Sequence, residues 1–139
     1  MANRPAFSPA RRITVFCPVS KDTLVALTRG ELAALAADPV GGRILGFIER
    51  CPELGDFGAY RGVCEVAIGI EAFTPAAHAR PTLGAAGERS HSATAVITTY
   101  ARDSITDERL DALLRDLCAL HPWEVPVIEV AAVTLVGRA

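Results

Sequence analysis

Alternation of apolar and polar residues with a period of two marks the parts of this chain that suit a half-buried β-sheet. The clearest case is 63–73, where the apolar side chains from Cys64 to Ile70 share one face and the residues between them share the other. A shorter apolar run at 43–48 could form one more strand. The same alternation predicts strands at 12–19, 92–100 and 124–136.

Two stretches instead show the spacing of apolar positions that an amphipathic helix needs. The first, 20–38, begins at a candidate N-cap, Ser20, and is either one helix or two short ones, because Gly30 weakens its middle. The second starts after the candidate N-cap Thr106 and ends before Pro122, since proline disfavours helical geometry in the residue before it. The chain therefore predicts two main helices.

The order of these elements predicts the fold. Strand, helix, one or two strands, strand, helix and strand make two β-α-β halves, which predicts an α+β, ferredoxin-like sandwich. Its antiparallel sheet would carry both main helices on one face, and a homo-oligomer is the simplest cover for the other face. We expect a flexible tail at 1–11 before a single domain at 12–139. The long connection 74–91 either holds an unseen hairpin or covers something.

Length, charge and cysteine content limit the functional classes. The 139 residues fit one domain, and half of them are hydrophobic, which is enough for a packed core. A net charge of −2 leaves no basic surplus for binding a nucleic acid. No apolar run reaches the ~18–20 residues of a membrane span, and no signal-peptide pattern is present, so we expect a cytoplasmic protein. The four cysteines should be reduced thiols, with Cys17, Cys64 and Cys118 in the core.

Three sequence phrases, in order along the chain, resemble a known family. Residues 42–51 look like the Gly-Arg-Ile-Gly-x-Tyr-x-x-Cys segment of the Nif-three-like proteins. Residues 72–75 and 80–88 look like that family's Thr-Phe-x-Pro and Asn-Pro-x-Ile-Gly-x-x-Gly stretches. Residues 121–126, His-Pro-Trp-Glu-Val-Pro, resemble the His-Pro-Tyr-Glu-x-Pro signature of CutA proteins. The chain thus resembles the small inserted domain of the Nif-three-like family, within the CutA-like and PII-like ferredoxin-fold superfamily.

The resemblance implies a fold and an assembly more than an activity. CutA and PII relatives typically form trimers with ligand clefts between subunits. Full-length Nif-three-like proteins hold a dinuclear metal site on a larger flanking domain, which this chain is too short to contain. His78, His91 and His121 do not reproduce that site, and no pair of them has ligand spacing on one helix or strand. The metal and any cofactor therefore stay unassigned.

Candidate functional residues gather at the junction of the last helix and the last strand. His121 and Glu124 are the tentative catalytic pair, because they could act as general acid and base or line an intersubunit cleft. Alternatively, His121 caps the helix and Glu124 satisfies backbone donors. Trp123 is a candidate ligand platform or a packing anchor.

Three further residues are candidates for ligand binding. Arg43 follows two glycines and could meet an anion together with backbone amides. Cys51 could be a nucleophile if its pKa were lowered beside a base, and is otherwise a structural thiol. His91 lies at the end of the long connection and could reach a substrate.

Two functional hypotheses follow. The first is a trimeric module that binds or senses a small molecule or a metal, with a cleft between subunits near His121 and Glu124. The second is a small enzyme of a specialised biosynthetic pathway. It would use those two residues, with His91 or Cys51, for acid–base chemistry on a small organic substrate.

Overall fold

The structure, a computed structural model, describes residues 4–139 and contains four strands and four helices in that range. The strands are β1 (Pro5–Pro18), β2 (Cys64–Phe73), β3 (Ser90–Arg102) and β4 (Ile128–Arg138). The helices are α1 (Lys21–Thr28), α2 (Ala33–Ala37), α3 (Gly41–Arg50) and α4 (Asp107–Leu120). None of these helices is long and apolar enough to span a membrane.

The sheet confirms the predicted ferredoxin-like architecture. All three strand pairs are antiparallel, and the order across the sheet is β2-β3-β1-β4. The two central strands therefore come from different halves of the chain, as the interleaving of two β-α-β units requires. Both predicted N-caps are present, because the Ser20 side chain accepts from Thr23 N and the Thr106 side chain accepts from Arg109 N.

One face of the sheet packs on the helices and forms the core. Val15 and Ile97 are register partners on this face, and both are fully buried. Since successive strand residues point to opposite faces, Phe16 and Val96 lie on the other face, which carries no helix. We call this second surface the open face. The core of strand and helix residues comprises Ile13, Val15, Cys17, Leu35, Ile44, Ile48, Ile97, Leu113 and Leu117, among others.

The N-terminal segment corrects one expectation. A flexible tail was expected at 1–11, but β1 already begins at Pro5, so that expectation is wrong for residues 5–11, and residues 1–3 lie outside the described residues. β3 stops at Arg102, opposite Ala10, so residues 5–9 pair only with 134–138 of β4. This two-stranded extension, which we call the arm, makes β1 locally an edge strand, and edge strands tolerate the prolines that had suggested a tail.

The segment 43–48 is also corrected, because it is part of helix α3 and not a strand. The apolar residues Ile44, Leu45 and Ile48 have helical spacing and are buried on one side. The start of the helix is fixed by a carboxylate outside it, since Asp38 Oδ1 accepts a hydrogen bond of 3.0 Å from Gly41 N. A short apolar run taken by itself does not reveal this cap, which lies just before the run in the sequence.

The first helical stretch, 20–38, is divided into α1 and α2, which is the second of the two predicted alternatives. Gly30 adopts a positive φ of 75° just after α1, a conformation that glycine adopts without steric cost. The four cysteines are free, as expected. Cys17 is buried and Cys64 packs against the core, but Cys118 is exposed because it lies one position past the core residue Leu117 on α4.

Candidate functional site

The long connection between β2 and β3 covers the end of the open face. We call residues 74–89 the cover loop. It contains no strand, so the alternative of an unseen hairpin is wrong. The loop is closed on itself by a 2.8 Å hydrogen bond from Gly87 N to Pro75 O. It is tied to the α4–β4 connection where Thr82 Oγ1 donates to Pro122 O at 2.9 Å.

A pocket of about 410 Å³ lies between the cover loop and the α4–β4 connection. We call it the Trp123 pocket. Phe73 and Trp123 form its aromatic part, with ring centroids 5.2 Å apart and ring planes at 60°. The lining residues come from the end of β2, the cover loop and the 123–127 segment: Glu71, Ala72, Phe73, Thr74, Pro75, Ala76, Ala79, Pro81, Thr82, Leu83, Trp123, Glu124, Val125 and Val127.

The strands explain why these side chains meet. Glu71 and Phe73 lie on the same face of β2 as Ala67, which is the open face. Thr94, which is only 1% exposed, has its Oγ1 at 3.1 Å from both Glu71 Oε1 and Ser92 O, so its single hydroxyl hydrogen is shared between these two acceptors. The chain after α4 crosses to the same end of the sheet, where Phe16 N donates to Val127 O just before β4 begins.

The ring of His121 is engaged by backbone atoms at both nitrogens. Nε2 is 2.8 Å from Phe16 O, which can only accept, so this nitrogen carries the hydrogen. Nδ1 then accepts from Trp123 N at 3.2 Å. The residue is 6% exposed and forms the C-cap of α4. This geometry favours the structural alternative for His121, since neither nitrogen is free to meet a substrate.

Glu124 is exposed and lines the Trp123 pocket. Its two carboxylate oxygens share the backbone N–H of Arg80, at 3.2 and 3.4 Å. The carboxylate therefore fixes the cover loop and still has lone pairs directed elsewhere. Trp123 is half-buried, packs on Phe73 and meets His121 edge-on at 5.9 Å between centroids. It thus serves as a packing anchor and also forms a pocket wall.

Cys51 belongs to a different part of the molecule. It is 6% exposed, and its Sγ lies 3.8 Å from Arg109 Nη2 and 3.8 Å from Glu53 Oε2. Burial and the nearby Glu53 carboxylate raise the pKa of Cys51, and the Arg109 guanidinium only partly opposes them. A rise of 1.5 Å per helical residue places His121 roughly 18 Å along α4 from Arg109. The structure therefore does not bring Cys51 to His121 and Glu124, and its protonated thiol is a poor nucleophile.

Arg43 and His91 are also not brought into the Trp123 pocket. Arg43 is exposed on α3, and His91 is exposed near the start of β3, opposite Ala72. Neither residue is among the lining residues of the pocket. Within residues 4–139, no group of three or more His, Cys, Asp or Glu side chains is arranged to hold a metal ion.

Sequence reasoning missed the contribution of β2 and the cover loop to this site. The alternation at 63–73 predicts Glu71 and Phe73 only as strand residues, and the resemblance adds Phe73 only to the phrase at 72–75. A signal was available, since 74–91 was recognised as too long for an unstructured loop. The pairing of that loop with Trp123 and Glu124 depends on tertiary contacts that the local pattern does not encode.

A larger cavity of about 520 Å³ lies at the other end of the sheet, at the base of the arm. Its charged groups already have partners in the described chain. Arg102 Nε donates to Asp56 O at 3.2 Å, and Asp103 pairs with Arg11 at 3.5 Å. It contains none of the candidate residues found from the sequence, so the Trp123 pocket is the stronger candidate site.

No protein-family model and no curated protein matches this chain. Among solved structures, it is similar to a Bacillus cereus protein related to NIF3, with 14% identity and a TM-score of 0.59. That match covers 95% of this chain, which spans 27% of the length of the Bacillus cereus protein. The CutA structure from Synechococcus elongatus PCC7942 matches with 14% identity over 95% of this chain and 85% of that one, but its TM-score of 0.44 is too low to support an inference. The first likeness confirms the fold expected from the resemblance.

Proposed function

We propose that this chain is a small-molecule-binding module whose ligand occupies the Trp123 pocket. The observation that carries the proposal is the pocket itself: about 410 Å³, closed on one side by the anchored cover loop and walled by the Phe73–Trp123 pair. Pockets of about 300–1,000 Å³ with apolar and aromatic walls and few polar groups are typical of small-molecule sites.

The proposal includes a homo-oligomer, with a trimer as the expected state. The open face carries half-buried apolar side chains, such as Phe16 and Val96, with no helix over them. The arm is a two-stranded ribbon with Phe7 68% and Val136 64% exposed. Isolated two-stranded ribbons are marginal in water, so contact with another subunit would stabilise the arm. A subunit packed on the open face would also border the Trp123 pocket and complete a cleft near Glu124.

Regulation or sensing is the role that such a module would serve, and the cytoplasm is the compartment in which its four free thiols would stay reduced. The alternative of a small enzyme has less support, because it needs a free acid–base pair. Both nitrogens of His121 are occupied by backbone atoms, and Cys51 is held protonated at a different site.

A thermal-shift screen of metabolites against the purified chain tests the proposal. A compound that binds should raise the melting temperature of the native chain, and the Trp123→Ala variant should lose this response. Phe57→Ala is the matched control, since it removes an aromatic residue that packs on Tyr100 at the opposite end of β3 from Phe73. Stabilisation that survives Trp123→Ala unchanged would place the ligand elsewhere and contradict the proposal.

A further inference from the structure

The charged groups of the Trp123 pocket are all acidic. Of its lining residues, Glu71 and Glu124 are the two with ionisable side chains, and no Lys, Arg or His is among them. In the described part of the chain, the ion pairs are Arg11–Asp103 and Arg109–Glu53, so neither pocket carboxylate is neutralised by a basic side chain. The pocket lining thus presents two carboxylates, neither of which forms an ion pair with a basic side chain in the described residues.

Both carboxylates contact neutral donors. Glu71 Oε1 lies 3.1 Å from the Thr94 hydroxyl, which Ser92 O also accepts from, and Glu124 accepts from the Arg80 backbone N–H on the cover loop. Their remaining lone pairs are available to a positively charged ligand. A carboxylate that already has a hydrogen-bond partner loses little side-chain entropy when it pairs with a ligand. Its ion pair is therefore more favourable than an ion pair between two mobile side chains.

The aromatic walls of the pocket favour the same charge. The Phe73 and Trp123 rings are inclined at 60°, with centroids 5.2 Å apart, which forms an aromatic corner. A cation over a ring face is attracted by the ring quadrupole, most strongly over tryptophan. The apolar side chains Leu83 and Val125 then provide surface for a hydrophobic group.

We infer that the ligand of the Trp123 pocket is an organic ammonium with an apolar body, such as an aliphatic or arylalkyl amine. An anionic ligand would be repelled by both carboxylates. A bare divalent cation has less support, because within residues 4–139 no third His, Cys, Asp or Glu side chain joins Glu71 and Glu124 to form a metal site. This inference rests on the proposed function, because it names the class of ligand for that same pocket.

The test compares three probes of similar shape and different charge: 2-phenylethylammonium, 2-phenylethanol and phenylacetate. Binding is followed at neutral pH by the fluorescence of Trp123, which is the single tryptophan of the chain. The ammonium should bind about tenfold more tightly than the alcohol, because it gains cation–π attraction and partly exposed ion pairs. The anion should bind most weakly of the three.

Charge-removing variants locate the effect. Glu71→Gln and Glu124→Gln keep an oxygen for the Thr94 hydroxyl and the Arg80 N–H, and each should weaken the ammonium about two- to fivefold while leaving the alcohol unchanged. Glu65→Gln, an exposed position on the same face of β2 outside the pocket, is the control and should change nothing.

The outcomes separate the two claims. If all three probes bind equally, or the anion binds best, the ligand class is wrong while the pocket remains a binding site. If no probe changes the fluorescence and the metabolite screen also finds no Trp123-dependent ligand, the proposed function itself fails. If the ammonium preference persists in both Glu→Gln variants, the carboxylates do not select the ligand and the inference is overturned.

Discussion

Replacing Asp38 should destabilise the fold more than any other single change to an acidic side chain, because this carboxylate joins the starts of two helices. Asp38 Oδ1 accepts from Val40 N and Gly41 N, both at 3.0 Å, at the beginning of α3. Oδ2 accepts from Ser20 N at 3.0 Å and Thr23 Oγ1 at 2.8 Å, at the beginning of α1. The residue is 5% exposed, and Asp38→Ala removes all four acceptor contacts at once.

The size of the effect follows from which donors water can reach. The bonds from Gly41 N and Thr23 Oγ1 are buried, whereas those from Ser20 N and Val40 N are partly accessible. A buried donor left without a partner costs about 1–3 kcal/mol. We therefore expect Asp38→Ala to lower the free energy of unfolding by about 3–4 kcal/mol. At about 2.1 cal/mol/K per residue over 139 residues, this lowers the melting temperature by roughly 12 °C.

The pH dependence gives an independent check of the same carboxylate. Burial raises the pKa of Asp38, but the hydrogen bonds from Gly41 N, Ser20 N, Thr23 Oγ1 and Val40 N together lower it below its ordinary value of 3.8. A folded-state pKa below the unfolded one contributes stability above the unfolded value and loses it as the pH falls through the folded value. The difference in the free energy of unfolding between wild type and Asp38→Ala should therefore be constant near neutral pH and shrink below about pH 4.

Urea denaturation measures the loss in the free energy of unfolding. The protein concentration is kept fixed, because the stability of an oligomer depends on it. Asp38→Asn keeps one acceptor oxygen and should fall between wild type and Asp38→Ala. Asp111→Ala, on the exposed side of α4, is the control and should stay within about 0.5 kcal/mol of wild type. A loss below about 1 kcal/mol for Asp38→Ala, or a loss that does not shrink in acid, would refute the reasoning.

Three further predictions concern the site and the thiols. His121→Ala should lower the free energy of unfolding by about 1–2 kcal/mol in denaturation, because two partly buried backbone groups lose their partner; a loss near zero would count against the structural role. Glu124→Ala should speed hydrogen exchange in the cover loop, 74–89, with little change in global stability; unchanged exchange there would show that the carboxylate does not hold the loop. A thiol reagent should label the exposed Cys118 first and should label Cys17 only when the chain unfolds. Burial, together with Asp38 and Glu71, raises the pKa of Cys17 to about 12. Early labelling of Cys17 would contradict its burial.

The parts of the fold that the sequence predicts are those set by local periodicity. The alternation from Cys64 to Ile70 and the apolar stripe of α4 are local patterns, so β2 and α4 were found in the right place. Helix α3 was missed because a short apolar run fits a strand as well as a helix. The arm was missed because its prolines look like a tail until β4 is placed beside them.

The candidate site was predicted in part. The His121–Glu124 phrase located the right junction, because a helix-ending proline and a lone tryptophan are visible in the sequence. The roles of these residues depend on partners far away in the chain: Phe16 O for His121 and Arg80 N for Glu124. Arg43, Cys51 and His91 were grouped with them by resemblance or residue type, and the fold places them elsewhere.

The indole N–H of Trp123 gives the most direct test of ligand binding in the Trp123 pocket. Because the chain has a single tryptophan, its indole gives one cross-peak in a ¹⁵N-correlated NMR spectrum. Titration with 2-phenylethylammonium should move that peak along a saturable curve, with the dissociation constant obtained from fluorescence. A peak that stays in place at saturating ligand, while resonances elsewhere shift, would contradict the assignment of this pocket as the binding site.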